Sequence, residues 1–142
     1  MKKIYFLIRI LIIYLFLIPS GFAVKSSSFD KGKILFDKKE FEKSKIFFER
    51  DKVFNPKSEK SYLYLAKIFY EKENDQEQEM NLNNVLLLNP QNDEAIYMLT
   101  LLKIKQSNYN KAKELIEKFD LVCRSFCSKR SEMLKKLDKI MP

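Results

Sequence analysis

Apolar residues recur at spacings of three and four along most of the chain, as in Tyr62, Leu65 and Phe69, and this spacing predicts amphipathic helices. The series is interrupted at Asn-Pro pairs and at short polar clusters. Proline cannot continue a helix, and it disfavours helical backbone in the residue before it. The pattern predicts helices at about 27–38, 41–54, 59–72, 75–88, 93–106, 109–121 and 129–141.

The helical pattern repeats at a fixed 34-residue period. Asn55-Pro56 recurs as Asn89-Pro90, and stacking the chain at this period gives three rows, at about 25–58, 59–92 and 93–126. Two columns of the stack agree in chemistry, one of small and one of large apolar residues: Gly32, Ala66 and Thr100, then Phe48, Leu82 and Ile116. Each row reads as two helices, and the helix at about 129–141 is apolar on one side, as a cap of the stack requires.

Residues 1–23 differ in composition from the rest of the chain. Their only charges are basic, and the unbroken apolar run Ile10–Ile18 is followed by Pro19-Ser20-Gly21. A basic N-terminus, a short apolar run and small residues before the cleavage site are typical of a secretory signal peptide. We therefore expect a signal peptide at 1–23, cleaved after Ala23, a helical repeat domain at 24–142, and a periplasmic or secreted protein. Retention of the segment as an inner-membrane anchor is the alternative.

Composition excludes several kinds of chemistry. The 142 residues include no histidine and only two glycines, so histidine-dependent nucleophile systems, His-ligated zinc and glycine-rich phosphate loops are excluded. Acidic residues are mixed with lysines along the helix faces, and we expect no catalysis, no cofactor and no metal. The net charge of +8 becomes +5 when the segment 1–23 is removed, and with export it does not favour nucleic-acid binding.

The repeat resembles the tetratricopeptide repeat, a helix-turn-helix unit of about 34 residues with a small residue in its first helix and proline at its end. The resemblance covers nearly all of 24–142 and implies an all-α, right-handed solenoid of about three repeats plus a C-terminal capping helix. Five positions depart from the family pattern. Asp51 and Gln78 replace the usual alanine, and Asp75 stands where an aromatic residue is expected. Lys103 stands where the second row has Phe69, and Arg124 replaces the proline in the third row.

In this family the first helix of each pair lines a concave groove. Carried over to this chain, the groove positions hold Phe29, Lys33, Phe36, Lys60, Leu63, Lys67, Tyr70, Tyr97, Leu101 and Lys105. The resemblance implies a non-catalytic scaffold or adaptor that holds a partner protein or peptide there. The predicted signal peptide and the composition rich in lysine, asparagine and isoleucine favour the bacterial cell envelope as its location. We expect the aromatic residues to anchor the partner and the lysines to attract its acidic segments.

Two further expectations concern the range of partners. The chaperone-binding members of the family hold a terminal carboxylate with a Lys and Asn clamp, which is absent here because its positions hold Phe29 with Lys33 and Leu63 with Lys67. We expect membrane contact only through an uncleaved signal segment, although lysines can also face anionic lipid headgroups. A structural subunit of an envelope assembly complex is an alternative function.

Cys123 and Cys127 are the only cysteines, and they lie between the sixth helix and the cap. In an exported chain the default is a disulfide. Helical residues four apart have Cβ atoms about 5–6 Å apart, whereas a disulfide needs about 3.5–4.5 Å. The pair must therefore leave helical geometry to be bridged. An intermolecular bridge and a thiol-disulfide redox factor that uses both cysteines remain alternatives.

Overall fold

The computed structural model of the protein describes residues 27–140, which form seven α-helices joined by short connections. The helices are α1 (Ser28–Asp37), α2 (Phe41–Phe54), α3 (Glu59–Glu71), α4 (Asp75–Leu88), α5 (Asp93–Lys105), α6 (Tyr109–Val122) and α7 (Arg130–Asp138), with a 3₁₀ turn at Cys127–Lys129. Helices α1 to α6 begin and end within one residue of their predicted positions, and α7 ends at Asp138 rather than at about 141.

The first six helices form three consecutive pairs, each pair packs on the next, and α7 packs on α5 and α6. The all-α solenoid expected from the 34-residue period is confirmed. No helix between residues 27 and 140 is long and apolar enough to cross a membrane. The predicted signal peptide lies outside the described residues.

The turn within each pair repeats along with the sequence. Lys39, Glu73 and Ser107 occupy the same position in successive repeats, and all three have left-handed backbone with φ of 60°, 53° and 59°. The residue after each of these turns donates its backbone N–H to a carbonyl of the helix just ended, as Asn108 does to Lys103 at 2.8 Å. These bonds use carbonyls that the helix end would otherwise leave unpaired.

The core lies between the helices of each pair and between successive pairs. Phe48, Leu82 and Ile116, which share a column of the repeat, are all buried. A Cβ atom on Gly32 would lie 2.9 Å from the ring of Phe48, so glycine permits α1 to approach α2 closely. Among the described residues, the members of the two core clusters and the apolar side chains packed against them lie between residues 29 and 137.

The two ends of the stack are covered differently. At the C-terminal end, Met133 and Leu137 of α7 are buried in the same cluster as the core residues of α5 and α6. At the N-terminal end, α1 carries Lys31 at the position where α3 and α5 bury Leu65 and Leu99. Terminal units of a solenoid need polar outer faces because no neighbour covers them.

Two departures from the family pattern are compensated by contacts. Asp51 is buried, and its carboxylate accepts hydrogen bonds from Ser61 and from Asn55 at 2.9 Å. Burial acts to raise the pKa of Asp51, but the hydrogen bonds from Ser61 and Asn55 lower it overall. Lys103 forms an ion pair with Glu79 of α4, which lowers the pKa of that carboxyl. Both polar residues therefore link one pair of helices to the next.

Candidate functional site: a cleft between alpha3, alpha5 and the cap

A cleft of about 660 Å³ opens on the side of the solenoid formed by α3, α5 and α7, with a contribution from the start of α4. This volume falls within the range of about 300–1,000 Å³ that is usual for ligand pockets. Its apolar surface comes from residues of α5, and charged residues surround it. The lining consists of Lys67, Tyr70, Glu71, Glu73, Asp75, Gln78, Glu94, Tyr97, Met98, Leu101, Leu102, Lys105 and Lys136.

Five of the ten residues predicted for the groove line this cleft: Lys67, Tyr70, Tyr97, Leu101 and Lys105. They meet there because the first helices of the second and third pairs lie side by side. Tyr70 is 58% exposed, which makes it the most accessible aromatic side chain of the cleft. An exposed aromatic beside apolar surface is a typical anchor point for a protein partner.

The other five predicted residues lie outside the cleft. Phe29 and Phe36 pack against the ring of Tyr64, with ring centroids 5.6 and 5.1 Å apart, and Leu63 is buried in the core. Lys33 is exposed on α1, where its ammonium lies 3.7 Å from Asp37, and Lys60 is exposed at the start of α3. The structure therefore gives the three apolar residues a packing role, and a partner role for any of the five stays a prediction.

Two lysines of the cleft already have acidic partners. The Lys67 ammonium lies 2.7 Å from Glu94, and the Lys105 ammonium lies 2.7 Å from Asp75. The hydrogen bond from Lys105 to Asp75 raises the pKa of that lysine. In the described part of the chain Lys136 forms no ion pair, which leaves it as the cleft lysine available to an incoming anion.

Tyr97 ties the wall of the cleft to the cap. Its hydroxyl donates a hydrogen bond to Glu132 at 3.0 Å, and its ring lies 5.9 Å from that of Phe126. Burial and this hydrogen bond raise the pKa of Tyr97 to about 12, so the phenol is neutral at physiological pH. Replacing Tyr97 would disturb the seating of α7 as well as the cleft, whereas Tyr70 makes no such contact.

Sequence reasoning missed the cleft residues that lie outside the first helices of the pairs. Asp75 and Gln78 belong to α4, which the family rule does not assign to the groove. Lys136 belongs to the cap, and the 34-residue period could have found it because it stands one period after Leu102. The cap occupies the place that the first helix of a fourth pair would take.

The two cysteines lie in the connection between α6 and α7, and their sulfur atoms are in contact, with Cα atoms 5.2 Å apart. Cys123 follows the last residue of α6 and has extended backbone, with φ of −59° and ψ of 138°. Cys127 begins the 3₁₀ turn, so neither cysteine lies within an α-helix, as the distance requirement of a bridge predicts.

The loop between the cysteines binds a carboxylate of the third pair. Asp93, at the start of α5, accepts hydrogen bonds from the backbone N–H groups of Arg124, Ser125 and Phe126 at 2.7, 2.6 and 2.9 Å. Burial acts to raise the pKa of Asp93, but the three backbone donors lower it overall. The cysteine loop is therefore attached to α5, the helix that supplies more of the cleft lining than any other.

Among solved structures, the chain is similar to one described as the first TPR of Spaghetti (RPAP3) bound to the HSP90 peptide SRMEEVD. The TM-score is 0.72 and the sequence identity is 13%, over 81% of this chain and 91% of that chain. The likeness confirms that the chain has the tetratricopeptide-repeat fold. No family model and no curated protein sequence matches the chain.

Proposed function

We propose that the protein is a non-catalytic scaffold of the bacterial cell envelope that binds an extended or helical segment of a partner protein in the cleft of α3, α5 and α7. The observation that carries this proposal is the exposed ring of Tyr70 beside the apolar surface of Met98 and Leu101 in a cleft of about 660 Å³. The similar RPAP3 domain was solved with a peptide bound, which supports a ligand of that kind.

The proposed partner segment carries acidic groups as well as an apolar anchor. Lys136 can pair with an acidic group of the partner because it forms no ion pair among the described residues. Lys67 and Lys105 would first have to give up their ion pairs with Glu94 and Asp75. Charge at this site would therefore orient the partner, and contacts with Tyr70 would supply more of the affinity.

Replacing Tyr70 with alanine is expected to weaken partner binding by about thirtyfold or more, because truncating an aromatic hot spot costs about 2 kcal/mol or more. The free energy of unfolding should change by no more than about 0.5 kcal/mol, since the side chain is mostly exposed. A photoreactive amino acid at residue 71, an exposed position of the cleft, with mass spectrometry of the adducts from the envelope fraction, measures the binding.

Ile46→Ala is the matched control, since that side chain is also apolar and 58% exposed but lies outside the cleft. The control should keep the adducts that Tyr70→Ala loses. Adducts that persist at full yield in Tyr70→Ala would show that the cleft is not the binding site.

We also propose that residues 1–23 are removed on export and that Cys123 and Cys127 then form an intrachain disulfide. Contact between the two sulfur atoms supports the pairing, and an oxidising compartment would maintain it. Its role would be to hold the loop whose backbone N–H groups bind Asp93, and so to attach the cap to α5.

The double variant Cys123→Ser, Cys127→Ser is expected to lose about 2 kcal/mol of unfolding free energy, as the chain-entropy estimate for a five-residue loop gives. Denaturation with and without reductant measures the loss, and reductant should bring the unmodified protein to the same stability. An intact mass of the exported protein that begins at Val24 and lacks two hydrogens would agree with both proposals. Two titratable thiols would contradict the disulfide, and a folded double variant without binding activity would favour the redox alternative.

A further inference from the structure

One position of the repeat is apolar and exposed in all three pairs. Val53, Leu87 and Leu121 occupy this position in the last turns of α2, α4 and α6, and they are 77%, 80% and 86% exposed. Phe54, beside Val53, is 75% exposed. We call these four residues the apolar row. Large apolar side chains are exposed in all three pairs at no other position of the described surface.

The apolar row lies at the edge of the solenoid where successive pairs are joined. The loop after α4 contacts the start of α3, where Asn89 donates to Glu59 at 3.1 Å. The loop after α6 contacts the loop after α4, where Arg124 donates to Gln91 at 3.2 Å. These contacts place the connections side by side along one edge, which we call the loop edge (residues 53–58, 87–92 and 121–126).

The segment of chain through the middle of this edge carries no charged side chain of its own, although Glu59 of α3 contacts it. Residues 80–92 include no acidic or basic side chain, although 32% of the whole chain is charged. An apolar surface without charges is characteristic of protein that becomes buried against something else.

Both flanks of the edge are basic. The helices and loops beside it expose six basic residues: Arg50, Lys57, Lys60, Arg124, Lys129 and Arg130. Lys129 pairs with Glu132 and Arg130 pairs with Asp120, whereas the other four form no ion pair among the described residues. Most acids of the edge have partners: Asp51 is buried and hydrogen-bonded, Glu59 accepts from Asn89 and Asn92, Asp93 is bound by backbone N–H groups, and Asp120 pairs with Arg130. Glu117 is an exposed acid outside the ion pairs of the described residues. An apolar centre between basic flanks matches an anionic bilayer surface.

The course of the chain points to the same partner. Helix α1 begins at the loop edge, as α3 and α5 do, and the apolar stretch Ile4–Ile18 ends nine residues before Ser27. Whenever that stretch is in a membrane, a linker of at most about 30 Å joins the bilayer to the end of the fold at which the loop edge lies. A second copy of the chain fits less well, because pairing two such edges would bring basic flanks together.

We propose that the loop edge docks on an anionic lipid surface, with the apolar row among the acyl chains and the basic flanks at the headgroups. The sequence alone predicted membrane contact only through residues 1–23, because the exposure of residues 53, 87 and 121 is a property of the folded chain. The docked edge and the cleft are separate surfaces, so the lipid contact does not depend on the proposed partner binding.

The absence of tryptophan allows a direct test. Leu87→Trp, in the chain that begins at Val24 and contains both core clusters, provides a single fluorophore on the apolar row. Vesicles of phosphatidylglycerol and phosphatidylcholine should shift its emission to the blue, and brominated acyl chains should quench it. Tyr70→Trp, which places the fluorophore in the cleft, should show neither change. Circular dichroism of both variants checks that they are folded.

The triple variant Val53→Ser, Leu87→Ser, Leu121→Ser should lower the vesicle partition coefficient by about tenfold or more. Ile34→Ser combined with Ile140→Ser is the matched control, because both side chains are exposed and lie outside the loop edge. That variant should bind as the unmodified chain does.

Three outcomes would overturn the proposal. The first is an unshifted Leu87→Trp emission with anionic vesicles, and the second is equal binding to pure phosphatidylcholine vesicles. The third is a dimer in sedimentation equilibrium that the triple variant dissociates, without vesicle binding by the unmodified chain. That last result would assign the apolar row to a second copy.

Discussion

Replacing Phe48 with alanine is expected to lower the free energy of unfolding by about 3–5 kcal/mol, a large part of the total stability of a small domain. The side chain is fully buried, stacks on Tyr64 with ring centroids 4.9 Å apart, and contacts the backbone side of α1 at Gly32. Its removal would leave a cavity between the first two pairs of helices, which cannot collapse without moving α1.

Urea denaturation followed by circular dichroism measures the loss. Phe54→Ala is the control, since it removes the same side chain from the same helix where it is 75% exposed, and it should change the stability by no more than about 0.5 kcal/mol. Equal losses in the two variants would contradict the assignment of Phe48 to the core.

Replacing Asp93 with alanine is expected to cost about 2 kcal/mol at neutral pH. The carboxylate accepts three backbone hydrogen bonds, and hydrogen bonds to a charged group contribute about 1.5–3 kcal/mol each. The loop is exposed enough for water to satisfy its N–H groups in the variant, which keeps the cost below a simple sum. Asp93→Asn, which retains one acceptor oxygen, should lose less.

The effect of Asp93 should depend on pH in a defined direction. Because the folded protein lowers the pKa of this carboxyl, its contribution is complete above the unfolded pKa and is lost as the pH falls toward the folded value. The difference in stability between the unmodified chain and Asp93→Ala should therefore shrink below about pH 4. Asp138→Ala, at the exposed end of α7, is the control and should show little change. A difference that stays constant down to about pH 2.5 would contradict a bound carboxylate.

The helices and their pairing could be predicted because the same packing arrangement recurs in each repeat. Phe48, Leu82 and Ile116 are buried because each faces the same neighbour in its own pair, and a 34-residue comparison shows this without any structure. The left-handed turns at Lys39, Glu73 and Ser107 could not be predicted, since none contains glycine. Their geometry is imposed by the carbonyls of the preceding helix and by the packing of the pair.

The cleft was predicted only in part. Residues of the first helices, such as Tyr70 and Leu101, follow from the register of the repeat. Phe36 and Phe29 occupy the repeat positions of Tyr70 and Tyr97, but their rings pack against Tyr64. The first pair has no earlier pair beside it among the described residues, and its aromatic side chains pack inward. Lys136 and Asp75 reach the cleft from elements that the register does not assign to it.

The sequence by itself determined the fold class, the helix positions and the columns of the core, because these depend on local spacing that recurs at a fixed period. Only the tertiary structure decided which charges are paired, since Lys67 with Glu94 and Asp93 with the cysteine loop join residues 27 or more positions apart. It also decided which apolar residues stay exposed. Val53 and Val85 are both valines in the last turns of α2 and α4, yet Val53 is exposed and Val85 is buried. They differ because only Val85 faces another helix pair.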